Sequence, residues 1–209
     1  MKSSNVERAI GNIIREQENV ATYIEGLDAN EKRRVLMYVA TSAAHNIDIK
    51  VMFEAVELLG FRDEEVLIFA CALNTCGRKH GVPTLVKRFC RNTAIARMEL
   101  GQAAHLCIVR SSDPTNANEH NAKELDCGIE CIELMKQSVR KHAKGDRWDN
   151  CATGQAIRIL KNINASLNES PNNEALKACK ERLRKMMSSD ADWQWLETES
   201  GYAVSGYYK

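Results

Sequence analysis

Apolar residues return every three or four positions over most of this chain, and the strict alternation of a half-buried strand is scarce. Val6, Ile10, Ile13, Val20 and Ile24 form one such stripe, broken only at Gln17 and preceded by a Ser4-x-x-Glu7 capping box. Asp28-x-x-Glu31 opens a second helix that carries Val35, Leu36, Val39 and Ala43 inward. Asp48 caps a third through Val51, Phe53, Val56 and Leu59, ending at Gly60. Asp63-Glu64-Glu65 places acids at the start of an apolar helix (Leu67 to Leu73) that breaks at Gly77, where they suit the helix dipole.

Beyond Gly81 and Pro83 lies an amphipathic helix with Leu85, Val86, Phe89 and Cys90 on one side and Lys87, Arg88, Arg91 and Arg97 on the other. Ile95 to Val109 is rich in Ala and Gly, so a neighbouring helix can approach it closely. The next helix, about Ala122 to His142, is apolar around most of its early circumference (Leu125, Cys127, Ile129, Cys131, Ile132, Leu134, Met135), which predicts a central position. Two more follow, about Asp149 to Leu167 and Asn173 to Met187. The spacing therefore predicts an all-α protein of about nine helices in multi-helix bundles. Two or three packed subdomains are expected, divided as 1–78, 79–145 and 146–209, with Lys144-Gly-Asp-Arg as a linker and a C-terminal acidic aromatic tail.

A hydrophobic fraction of 44% is enough to build such cores. A net charge of +1 leaves any electrostatic function to segregation of charge, and segregation is present. Arg78, Lys79, Lys87, Arg88, Arg91 and Arg97 fall in a stretch, Gly77–Met98, whose only neighbours in charge are each other. Lys136–Arg147 and Lys177–Lys185 are also basic. The tail from Ser188 holds Asp190, Asp192, Glu197 and Glu199 beside Trp193, Trp195, Tyr202, Tyr207 and Tyr208. Such basic surface binds phosphates, whether of lipid head groups or of nucleic acid, and the sequence does not separate the two. The acids and tryptophans of the tail are candidate self-association residues, the acids steering and the indoles supplying buried area.

Eight cysteines raise the question of disulfides, but MKSSNVERAI offers no apolar signal segment, and several cysteines lie in apolar helical stripes. A reducing compartment and no secretion are expected. Cys127, Cys131 and His142 share one region of the long helix, yet a zinc site needs four ligands, so no metal and no cofactor are expected. G-x-S-x-G, H-E-x-x-H and Walker motifs are all missing, which argues against an enzyme and against a small-molecule substrate.

The order of elements resembles the matrix protein of the orthomyxoviruses, the influenza group. The segments concerned are Leu67–Asn92 and Ala94–His142, in particular AIARMELGQAAHLCIVR followed by ELDCGIECIELMKQ. The chain departs from that family by being shorter, as if a helix before Thr93 were missing, and by holding only part of its Cys/His motif. The resemblance implies an all-helical structural protein that polymerises at the inner face of a viral envelope, in the virion and in host cytoplasm and nucleus. It also implies binding to anionic membrane and to ribonucleoprotein or RNA. The alternative is a soluble helical adaptor that binds nucleic acid or regulates a partner.

Overall fold

The structure, a computed structural model, describes residues 4–60, 62–112, 118–139, 147–187 and 189–202. Among them are eleven helices and no strand, as an all-α chain requires. The chain divides into two compact units, Met1–Glu99 and Leu100–Lys209.

The first unit holds α1 (Asn5–Glu16), α2 (Val20–Ile24), α3 (Ala29–Asn46), α4 (Ile49–Leu59), α5 (Asp63–Thr75) and α6 (Gly81–Phe89). The Ser4/Glu7 and Asp28/Glu31 capping boxes both form, and the Asp48 carboxylate accepts from the Lys50 N–H. Gln17 divides the first stripe into two helices. It takes a left-handed conformation (φ 59°), donates its side-chain amide to the Ile14 carbonyl, and accepts from the Asp48 N–H at 2.8 Å. α3 packs on α1, α4 and α5, and α5 packs on α6, so the position 78/79 lies inside this unit and between packed neighbours. The position 145/146 lies outside the described residues.

α5 ends in a Schellman motif. Arg78 N–H donates to the Leu73 carbonyl (2.9 Å) and Gly77 N–H to that of Asn74 (3.3 Å), with Gly77 at φ 76°, a region that favours glycine. Gly81 then lets α6 start hard against its neighbours, for a Cβ there would lie 2.4 Å from Ile49 Cδ1. The Asp63 carboxylate does not act only as a dipole partner. It accepts from the N–H groups of Arg91 (2.9 Å) and Asn92 (3.2 Å), so the N-terminus of α5 fixes the chain leaving α6.

The second unit holds most of α7 (Arg97–Ser111), then α8 (Asn118–Val139), α9 (Arg147–Glu169), α10 (Glu174–Lys185) and α11 (Asp190–Tyr202). α8 is central as its composition predicts: Leu125, Ile129, Cys131, Ile132 and Met135 are fully buried. It packs on α9 and α10, and runs antiparallel to α7, with Gly101 facing Met135 and Gly128 facing Cys107. The Asn162 amide donates to the Ile108 carbonyl and to Ser111 Oγ, both at 2.9 Å, which answers the end of α7.

All eight cysteines are free thiols. Burial, with the Asp63 charge adding to it, pushes the Cys90 thiol up to about 11, and burial beside Asp126 does the same for Cys179. Cys131 is also raised, first by its hydrogen bond with Cys127 and then by burial. A raised folded-state value means that these thiols support folding fully below the ordinary thiol range. That support is lost as pH climbs from about 9 towards about 11. In native-state iodoacetamide labelling near pH 8, exposed Cys71 is expected to react first and Cys90, Cys131 and Cys179 only on unfolding. Equal rates at all four positions would contradict this burial.

Candidate binding surfaces

The six basic residues of Gly77–Met98 do not form one surface. Lys79 and Arg97 are each only 7% exposed, so they belong to the packed interior of the first unit. Arg78 is half-buried and donates from Nη1 to the Ile47 carbonyl, tying the turn after α5 to the α3–α4 junction. Periodicity cannot identify such residues, because a long cationic side chain can bury its stem and spend its head group on the fold.

Lys87, Arg88 and Arg91 are exposed, at the end of α6 and just beyond it. The opposite face of α6 is sealed by Val82, Leu85, Val86 and Phe89, and Phe89 meets the Phe53 ring edge-on at 6.0 Å. Arg88 lies 4.8 Å from the centre of the Phe89 ring and 3.1 Å from Glu57, which draws the ends of α4 and α6 together. This exposed pair adds at most about 1 kcal/mol. The chemistry on offer is a small cationic edge on a rigid support.

The acidic tail forms a helix docked inside its own unit. α11 packs on α9, burying Trp193 (6% exposed) and Leu196 (0%). Its acids meet α10: Glu197 lies 3.4 Å from Lys180 and Asp190 lies 3.6 Å from Arg184, while the Lys180 ammonium sits 6.0 Å from the Trp193 ring centre. Ser189 Oγ accepts from the Asp192 N–H at the start of the helix. The segregated charges of 177–185 and 190–199 are therefore partly matched within one chain. Of the six self-association candidates, Trp195 is half exposed, Asp190 and Glu197 are exposed but paired, Asp192 and Glu199 are half-buried, and Trp193 is interior. Tyr207 and Tyr208 lie outside the described residues.

Sequence reading missed Arg182. Its guanidinium bonds Glu133 at 2.9 and 2.6 Å and Asp126 at 2.6 Å, riveting α10 to α8, and these hydrogen bonds hold it firmly protonated. It belongs to a basic run, and no local signal separates it from Arg184. Among the described residues no group of three or more His, Cys, Asp and Glu could hold a metal ion, and His142 lies outside them. No described helix is long and apolar enough to cross a membrane. No protein-family model, no curated protein and no solved structure matches the chain.

Proposed function

We propose that the chain is a structural protein of matrix type. It self-associates into a layer beneath a viral envelope and holds anionic membrane, and ribonucleoprotein or RNA, through the cationic edge at the end of α6. It performs no catalysis and takes no cofactor. Its place is the inner face of the virion envelope and, before assembly, host cytoplasm and nucleus. One observation supports the reading above the others: Lys87 and Arg88 at the end of α6, and Arg91 just beyond it, are exposed together where the other face of the helix is buried. Such an edge can meet a flat array of phosphates without distorting its support.

The test is flotation with phosphatidylserine vesicles and with phosphatidylcholine vesicles, at low and physiological salt. Each cation near an anionic surface contributes about 1 kcal/mol, so Lys87→Gln/Arg88→Gln/Arg91→Gln is expected to bind phosphatidylserine roughly 100-fold more weakly with its melting curve little changed. Arg78→Gln is expected instead to lower stability, because it strips a donor from the Ile47 carbonyl. Unchanged vesicle binding by the triple variant would refute the assignment. Binding to RNA with none to vesicles would move the reading to the nucleic-acid adaptor.

A further inference from the structure

α10 presents basic side chains on two edges. One is occupied within the chain by α11, where Lys180 and Arg184 take Glu197, Asp190 and the Trp193 ring. The other faces α8 across a groove of about 290 Å³, lined by Lys136, Arg182, Lys185 and Met186 together with Glu133 and Gln137. Arg182 is immobilised there by Glu133 and Asp126, which fixes the plane of its guanidinium. Lys136 is half-buried and meets no anion among the described residues.

α11 carries the complementary chemistry on its outward side. Trp195 is 50% exposed. Asp192 and Glu199, three residues before it and four after, share its helix face. Neither carboxylate meets a cation among the described residues, unlike Asp190 and Glu197 on the same helix. The chain thus uses one acid-and-indole set against one basic edge of α10 and leaves a second set unmatched. On the second edge Arg182 is held by Glu133 and Asp126, Lys185 has only the exposed Glu181 at 3.8 Å on its own helix, and Lys136 meets no anion among the described residues.

We infer that Trp195, flanked by Asp192 and Glu199, docks into the α8–α10 groove of a second copy of this chain. A guanidinium already held flat receives an indole face without further ordering, and the Met186 thioether is a favourable neighbour for an aromatic ring. Lys136, and Lys185 on exchanging its long, exposed contact with Glu181, offer partners to two carboxylates flanking the ring. Knob and groove are different patches of one subunit, so the contact is heterologous and extends into an array unless it closes into a ring. It rests on the self-associating reading above and names the surface that performs it.

The experiment uses the full chain and sedimentation velocity over a range of concentration and salt. Trp195→Ser is expected to raise the concentration needed for self-association roughly 30-fold. Lys136→Glu/Lys185→Glu should do the same. Mixed, these two variants retain one working knob and one working groove, so they should form a one-to-one complex that stops at two. Asp192→Lys/Glu199→Lys should fail to self-associate yet pair with Lys136→Glu/Lys185→Glu. Circular dichroism and melting of each variant should match wild type, since the altered side chains are exposed or half-exposed. Should the lysine variant fail to fold, Trp195→Ser and Asp192→Lys/Glu199→Lys alone decide. A wild-type chain that stays monomeric, or a Trp195→Ser variant that assembles as wild type does, overturns the inference. Phosphatidylserine flotation on the same samples separates the two claims. Vesicle binding with assembly indifferent to Trp195 sinks the contact alone, whereas Trp195-dependent assembly without vesicle binding sinks the membrane reading alone.

Discussion

Arg33→Ala is expected to lower the stability of the chain by about 2–3 kcal/mol, far more than a surface arginine is worth. The reason is Glu65. It sits in the first turn of α5 but is only 3% exposed, and its carboxylate is paired with Arg33 from α3, with Arg62 Nε 3.7 Å away. Taking the arginine away strands a carboxylate in the interior. Arg62, whose own side chain is 61% exposed, offsets only part of the loss, which places the effect below the fully buried limit of about 3–5 kcal/mol. The reverse change should be milder: with Glu65→Leu, the Arg33 side chain, 40% exposed, can turn to water. The double variant Arg33→Met/Glu65→Leu should return close to wild type, because packing apolar groups together avoids the desolvation of both charges. Urea-denaturation midpoints of the four proteins close the cycle. If Arg33→Ala costs under about 0.5 kcal/mol, Glu65 does not depend on this partner and the α3–α5 contact rests on its apolar residues alone.

That pair marks where a sequence stops being legible. The capping boxes at Ser4 and Asp28 could be read because both members lie within one turn, and the central place of α8 could be read because its apolar residues cover most of its early circumference. Glu65 could not. Beside Asp63 and Glu64 it looks like an acid serving a helix N-terminus, and only tertiary packing turns one of the three inward and another, Asp63, onto the end of α6. The basic stretch behaves likewise. Its charge density is a property of the chain, but whether each cation faces water depends on which carbonyls and carboxylates the fold brings near. Lys79 and Arg97 were absorbed by the interior while Lys87 and Arg91 were not. Gln17 was the one break visible in the first apolar stripe, and it is there that α1 gives way to α2. The tail's helix was missed because a segment rich in acids and aromatics has no single outward face. α11 buries Trp193 and Leu196 while exposing Trp195 two positions away.

Trp193→Ala and Trp195→Ala should therefore behave as opposites. The first removes a large buried side chain at the seam where α11 packs on α9, and also the ring that lies 6.0 Å from the Lys180 ammonium. A loss of about 3–5 kcal/mol is expected, the usual range for an aromatic-to-alanine change in a core, since the space left by an indole cannot fully collapse. The second removes a ring that is half in water and should cost less than about 1 kcal/mol. Denaturation midpoints test the difference, and amide hydrogen exchange locates it. In Trp193→Ala the amides of α11 should lose protection while those of α3 and α5, in the other unit, keep theirs. Trp193→Phe should lie between wild type and alanine, because it retains part of the buried area. The consequence for assembly follows from geometry. Asp192, Trp195 and Glu199 share a face only while α11 is a docked helix, so Trp193→Ala should weaken self-association together with stability, and Trp195→Ser should weaken self-association alone. Equal losses of stability from the two alanine variants would mean that α11 is not held by Trp193, and a surface built on its outward face would then have no rigid support.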